Sequence, residues 1–548
     1  MKCALLQINS KVGDIIANRD TILAAVQRAA QEGAALCVTP ELALTGYPPR
    51  DLLLYPAFME KTEQAVQYLA EQIADTGVAL VLGSPGKNPR VSGKPLHNQA
   101  LFLYEGKVLH KYSKRLLPTY DVFDESRYFE PGTEPCVVLF KGHQIALTIC
   151  EDIWNDSAFN TTAAYQVHPL EQCSPFDFLI NLSASPFTVG KQHLREGMLT
   201  ALAKRYQAHI FYTNAVGGND DLVFDGRSMY VTPNGILTAR AEPFAEEILT
   251  VDTEACIEKI AHDNKLPDAE IWQALVLGVK DYCHKSGIRQ VGLGLSGGID
   301  SALVAAIACA ALGPENVYGV LMPSPYSSSH SLDDASELAS RLGMKTVTVP
   351  IEAGMRAFDG MLAECFAGKE PDVTEENIQA RIRGVLLMAL SNKLGFLLLT
   401  TGNKSEISVG YCTIYGDMCG GISVIGDIYK TEVFRLCRWL NSTLGEMIPK
   451  NILVKAPSAE LRPDQTDQDS LPPYEELDAL LLAMLEERKS VSDLVTEGHD
   501  AEVVQKVAKL VSISEFKRRQ AAPVLKITRH AFGVGWRMPI ACKQALLI

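Results

Sequence analysis

Gly292-Leu293-Gly294-Leu295-Ser296-Gly297-Gly298-Ile299-Asp300-Ser301 is the stretch whose reading decides the fold of this 548-residue chain. The run 291–295 is short and apolar like a buried strand, and 302–312 reads as a buried helix. A glycine-rich turn between two such elements offers backbone N–H groups and a helix N-terminus to an anion, with no side chain in the way. Three motifs overlap in it. Gly292, Gly294 and Gly297 satisfy G-x-G-x-x-G, but the dinucleotide fingerprint wants an acidic residue closing the next strand, and 316–322 closes on Pro323. Residues 294–298 satisfy G-x-S-x-G, but a hydrolase elbow needs an Asp and then a His downstream. His330 comes too soon, and His530 has no evident partner. No Gly-Lys-Ser/Thr follows, which excludes a Walker loop.

Outward from that turn, strand-like runs at 316–322, 346–351 and 396–400 and a helix near 269–283 predict a doubly wound α/β unit, with ligands at the carboxyl ends of its strands. The first half also alternates, with strands at 2–8, 35–39, 78–83 and 144–149 and a helix at 18–32, implying a second layered α/β architecture. The pattern lapses in a charged stretch at 251–267, giving domains 1–262 and 263–548. Residues 457–473, rich in Asp, Gln, Ser and Pro, read as an irregular loop whose plainest form is a solvated linker.

A net charge of −14 disfavours a nucleic-acid partner, so a phosphate-bearing ligand needs local basic groups. No apolar run approaches membrane-spanning length, and the N-terminus turns polar too early for a signal peptide. The 13 cysteines include no C-x-x-C pair, which argues against a disulfide framework or structural zinc and points to a reducing cytoplasm.

Three first-half strands run into reactive residues: 35–39 into Glu41, 108–113 into Lys114, and 145–149 into Cys150. Singly, each has a bland explanation, the cysteine as a small core residue and the Glu or Lys as a solvated face. Together, Pro40-Glu41-Leu42, Lys114-Arg115-Leu116-Leu117-Pro118 and Cys150-Glu151-Asp152 resemble the three signature segments of the nitrilase superfamily. That resemblance implies an α-β-β-α sandwich and a Glu-Lys-Cys triad that cuts carbon–nitrogen bonds. Glu41 would be the base, Cys150 the nucleophile and Lys114 the stabiliser of the oxyanion. It further implies glutamine contacts at Tyr120, Ser185 and Lys191.

Ser296-Gly297-Gly298-Ile299-Asp300-Ser301 resembles the pyrophosphate-binding loop of the ATP pyrophosphatases, whose domain is Rossmann-like. With Gln379-Ala380-Arg381-Ile382-Arg383-Gly384 and Thr401-Gly402-Asn403-Lys404-Ser405-Glu406 downstream, the order resembles the NAD synthetases, and the nitrilase-like half marks their glutamine-dependent form. The resemblance implies ATP contacts at Gly294, Leu295, Ser296, Gly297, Gly298, Ile299, Asp300, Ser301 and Thr401. It implies deamido-NAD contacts at Asn377, Glu406 and Lys517, magnesium on Asp300 and Glu406, and a homo-oligomer. Gly416-Asp417 and Gly426-Asp427-Ile428-Tyr429-Lys430-Thr431 match family segments without an assigned role. Two alternatives stay open: the same modules amidating another carboxylate, or a stand-alone amidase joined to a nucleotide-sensing module.

Overall fold

Alternating side chains along the strands of the first half are apolar on both faces, so each of its sheets has two surfaces to bury. The computed structural model describes residues 1–542 apart from 91, 157–164, 174, 256–257, 264 and 464. It divides into two units, Met1–Lys265 and Leu266–Ile548.

In the first unit one six-stranded sheet has the order Glu247–Asp252, Lys2–Gln7, Leu36–Val38, Ala79–Lys87, Leu96–Tyr104, Lys107–Ser113. The other runs Leu237–Arg240, Met229–Val231, His209–Asn214, Phe178–Ser183, His143–Ile149, Val137–Phe140. Leu5, Val38, Val81 and Phe102 of the first sheet pack against Ile145, Leu147, Phe178 and Ile180 of the second. Residues one position along face outward. Leu6, Cys37 and Leu80 meet Ile22 and Val26 of helix Ile15–Gln31 and Leu69 of helix Pro56–Gln72, while Ala146, Leu179 and Ile210 meet Met198, Leu199 and Leu202 of helix Lys191–Tyr206. The result is the expected α-β-β-α sandwich.

The second unit holds a parallel sheet in the order Lys345–Thr348, Val317–Leu321, Val291–Gly294, Leu397–Thr400, Ile422–Ser423. The chain runs outward from Val291–Gly294 in one direction, then returns through helix Val373–Leu394 to lay Leu397–Thr400 on its other side. The direction of winding therefore reverses between those two strands, and a crevice opens outside their carboxyl ends. Helix Ile299–Leu312 is buried nearly all round, which explains its unbroken apolar sequence. A further core joins helices Tyr474–Leu485 and Ala501–Ile513 to Ile407, Val409 and Tyr429. Among the described residues no helix is long and apolar enough to cross a membrane.

Candidate active sites

The three reactive residues of the first unit leave strand ends that meet. Cys150 follows strand His143–Ile149 with φ 43°, a left-handed conformation costly for a side-chain-bearing residue, and opens the single turn Cys150–Ile153. Asp152 holds that turn by accepting from the Ile149, Arg115 and Leu116 N–H groups at 3.0, 3.1 and 2.9 Å and from the Tyr112 hydroxyl at 2.8 Å. The same carboxylate thus fixes the strand end that carries Lys114. Lys114 Nζ lies 2.7 Å from Glu41 Oε1 and 2.7 Å from Glu125 Oε1, all three side chains being buried. Asn98 Nδ2 donates to Glu41 Oε1 at 2.7 Å, and the Ala184 N–H to Oε2 at 3.1 Å.

Burial pushes the Cys150 thiol up, Glu41 adds to that and Lys114 opposes it, so the resting group is the neutral thiol. Burial alone would lower the Lys114 ammonium, but Glu125, Glu41 and Cys150 hold it well above the usual lysine value. Burial also raises the Glu125 carboxyl against the pull of Lys114. The arrangement provides a thiol, a buried carboxylate to receive its proton and a fixed cation for a developing oxyanion. Sequence reasoning missed Glu125 and Asn98, whose segments carry no local pattern tied to the other three. Beside the thiol, Tyr120 is half exposed and its hydroxyl donates to both Glu151 oxygens, at 3.1 and 3.0 Å. Ser185 is buried, its N–H donating to Asn214 Oδ1 at 2.9 Å. Lys191 opens helix Lys191–Tyr206 and reaches the Pro186 carbonyl at 3.2 Å.

In the second unit a cavity of about 300 Å³ opens at the reversal point and is lined by the whole loop from Gly294 to Ser301, with Thr401, Glu406 and Lys430. The loop is pinned from within. Ser301 Oγ donates to the Gly298 carbonyl at 3.0 Å, and the Gly298 N–H to Ser296 Oγ at 3.2 Å. Gly297 has φ 74°, and a Cβ there would stand 2.2 Å from the Ser331 carbonyl oxygen. Asn403 caps helix Lys404–Val409 by accepting from the Glu406 N–H at 3.0 Å, and its Nδ2 donates to Asp300 Oδ1 at 3.0 Å. Asp300 and Glu406 share one cation, with Lys430 Nζ at 2.5 and 3.2 Å. Burial holds the Glu406 carboxyl above its usual range, with Lys430 opposing and Asp300 adding to it. Asp300 and Glu406 offer hard carboxylate oxygens of the kind magnesium takes, here both paired with Lys430. Arg383, also on the cavity wall, donates Nε to the Met322 carbonyl at 3.1 Å, and burial lowers its guanidinium to about 10.

Residues 2–259 match the family model described as carbon–nitrogen hydrolase, and residues 271–521 that described as NAD synthase. The chain is similar to a glutamine-dependent NAD(+) synthetase of Synechocystis sp., 50% identical over 98% of each chain. One from Thermotoga maritima is 43% identical, again over 98% of each. Among solved structures, the glutamine-dependent NAD+ synthetase from Acinetobacter baumannii in complex with adenosine diphosphate is 39% identical over 98% of each chain, with a TM-score of 0.76. The chain belongs to the glutamine-dependent NAD(+) synthetases.

In this member of the NAD(+) synthetases, helix Val373–Leu394 presents two working faces. Arg383 lines the cavity, and Gln379 one turn before it donates Nε2 to the carbonyl of Leu461, another lining residue, at 2.9 Å. Asn377 and Arg381 hold a loop, Asn377 Oδ1 accepting from Thr413 Oγ1 at 2.8 Å and Arg381 Nε donating to the Ile414 carbonyl at 3.3 Å. Gly384 lets that loop approach, since a Cβ there would stand 2.7 Å from the Tyr415 carbonyl oxygen. Lys517 holds the same loop from another element, donating to the Gly410 and Cys412 carbonyls at 2.6 and 2.7 Å. Asn377 and Lys517 are therefore brought to one loop whose Tyr411 and Thr413 line the cavity, and are not themselves among its lining residues.

Lys404, central to its sequence motif, turns away from the cavity into a knot with Asp427 at 2.9 Å, Glu486 at 2.7 Å and Thr528 Oγ1 at 2.8 Å. The cavity's buried ammonium is Lys430. Within 457–473, Pro457 to Leu461 and Asp467 line the cavity. Glu460 accepts from Ser328 Oγ, Ser331 Oγ and Lys455 Nζ at 3.0, 2.7 and 2.9 Å, and buried Asp467 from the Tyr474 hydroxyl at 2.8 Å.

Proposed function

We propose that this synthetase takes nitrogen from glutamine at Cys150 and uses ATP to place it on the nicotinate carboxylate of deamido-NAD. Glu41 accepts the Cys150 proton as sulfur attacks the amide carbon, and Lys114 holds the oxyanion. The proton passes to the leaving nitrogen, ammonia departs, and a thioester remains. Glu41 then takes a proton from water, which attacks the thioester and releases glutamate. In this reading Tyr120, Ser185 and Lys191 would contact the glutamine.

A carboxylate does not exchange oxygen for ammonia unaided, so its oxygen first attacks the α-phosphorus of ATP and pyrophosphate leaves. The loop from Gly294 to Ser301, with Lys430, binds the pyrophosphate in the cavity, and Thr401 lies at the mouth of the adjacent strand. Asp300 and Glu406 would hold a magnesium ion, which would supply charge neutralisation for the phosphates. Ammonia attacks the acyl-adenylate, AMP leaves, and the amide is NAD. Asn377 and Lys517 act on the dinucleotide through the loop at 410–413, while Glu406 meets it at the cavity. The observation that carries this reading is the convergence of the phosphate loop, Asp300, Lys430 and Glu406 on one cavity at the reversal point of a parallel sheet.

AMP release from labelled ATP tests it. With glutamine present, deamido-NAD is expected to yield AMP and NAD in equal amounts, and xanthosine monophosphate or aspartate to yield none. AMP formation driven by another acid and not by deamido-NAD overturns the assignment of the acceptor.

A further inference from the structure

Asn98 bridges the two carboxylates that hold Lys114 and is hydrogen-bonded to the Lys114 backbone. It lies on strand Leu96–Tyr104 and is almost fully buried. Its backbone carbonyl accepts from the Lys114 N–H at 2.8 Å. Its Nδ2 donates to Glu41 Oε1 at 2.7 Å and reaches Glu125 Oε2 at 3.4 Å. The other end of the same amide, Oδ1, is buried with no hydrogen-bond partner among the described residues. An orphaned buried carbonyl is costly, and turning the amide over would aim that oxygen at two carboxylates. The fold thus tolerates an unsatisfied acceptor in order to keep an N–H donor between Glu41 and Glu125.

Two carboxylates on one ammonium tend to relieve their repulsion by binding a proton. The described groups acting on this pair are Lys114, Cys150 and the Tyr47 hydroxyl, which donates to Glu125 Oε1 at 2.9 Å, with Glu151 beside the thiol. Lys114 is the sole cation among them. Glu41 Oε1 is committed to Lys114 and Asn98, whereas among the described residues Oε2 receives only the Ala184 N–H and keeps a lone pair for a proton. We propose that Asn98 is a positioning residue for glutamine hydrolysis, its carboxamide held between Glu41 and Glu125 so that Glu41 Oε2 remains the base for Cys150. This rests on the glutaminase reading of the site.

The test compares glutamine hydrolysis by wild type, Asn98→Ala and Asn98→Asp over a range of pH, with ammonium-driven NAD synthesis reporting that the rest of the chain is folded. Removing a donor to an ionised carboxylate favours its protonated form, so for Asn98→Ala the acid limb of the profile is expected to move up by about one to two pH units. Its kcat at neutral pH should fall about tenfold or more while KM for glutamine stays within about threefold. Asn98→Asp is nearly isosteric and replaces the donor only while the new carboxyl keeps its proton, so its residual activity is expected to decline as pH rises. An unmoved acid limb in Asn98→Ala, a loss confined to KM, or a wild-type profile in Asn98→Asp overturns the proposal. A wild-type chain that hydrolyses no glutamine would instead defeat the underlying reading.

Discussion

Cys150 sits where a thiolate is disfavoured, because burial and the nearby Glu41 both hold its proton on. With the thiol's affinity for its proton raised, the neutral form persists through and above neutral pH, and sulfur becomes nucleophilic only as Glu41 receives the proton. Activity should therefore depend on Glu41 as the proton acceptor, with no compensating gain from thiol ionisation near neutrality. Glu41→Gln is expected to suppress glutamine hydrolysis by about 100-fold or more, measured as glutamate release at pH 7. Cys150→Ala should abolish NAD formation from glutamine and leave formation from ammonium chloride intact. Glutamine-driven synthesis surviving in Cys150→Ala would mean that another group is the nucleophile.

The loop from Gly294 to Ser301 depends on one residue's lack of a side chain. Gly297→Ala would put a Cβ against the Ser331 backbone oxygen and hold alanine at φ 74°, a strain of about 1–3 kcal/mol. The loop would have to shift away from the helix that opens at Ser329, and a displacement of about 1 Å at a reacting centre costs on the order of 100-fold in rate. Synthesis from both glutamine and ammonium should fall together while glutamate release persists, which coupled assays of the same preparation would check. Such loops were legible because apolar strands and polar carboxyl-terminal turns leave a local pattern, as at Glu41, Lys114, Cys150 and Asp300. Glu125, Asn98 and Arg383 were not assigned, since their roles depend on which segments meet. Lys404 and Lys430 show the same limit from another side. Both lie in matched motifs at helix starts, and only the packed structure tells which ammonium faces Asp300 and which is locked against Asp427.

Each unit has its own core and its own chemistry, so damage confined to one should leave the other's assay readable. Lys404 offers the sharpest case. Its ammonium is buried with Asp427, Glu486, Thr528 and the His530 carbonyl, tying the helix that carries Glu406, the turn before Lys430, the end of helix Tyr474–Leu485 and the segment at 527–530. Asp427 keeps the Ile527 and Thr528 N–H groups, but Glu486 would lose its partner, and removing one member of a buried ion pair costs about 3–5 kcal/mol. Glu406 is two residues from Lys404 and Lys430 three from Asp427, so the same loss would loosen the geometry that holds Asp300. Lys404→Met should lower the unfolding midpoint of the second unit by roughly 10 °C in calorimetry, taking 2–4 °C per kcal/mol for a unit of this size, and weaken synthesis from ammonium. The first unit's transition and basal glutamate release should stay near wild type. If Lys404→Met instead left the second transition in place and abolished only ATP turnover, the residue would belong to the chemistry after all, and the knot would be incidental to stability.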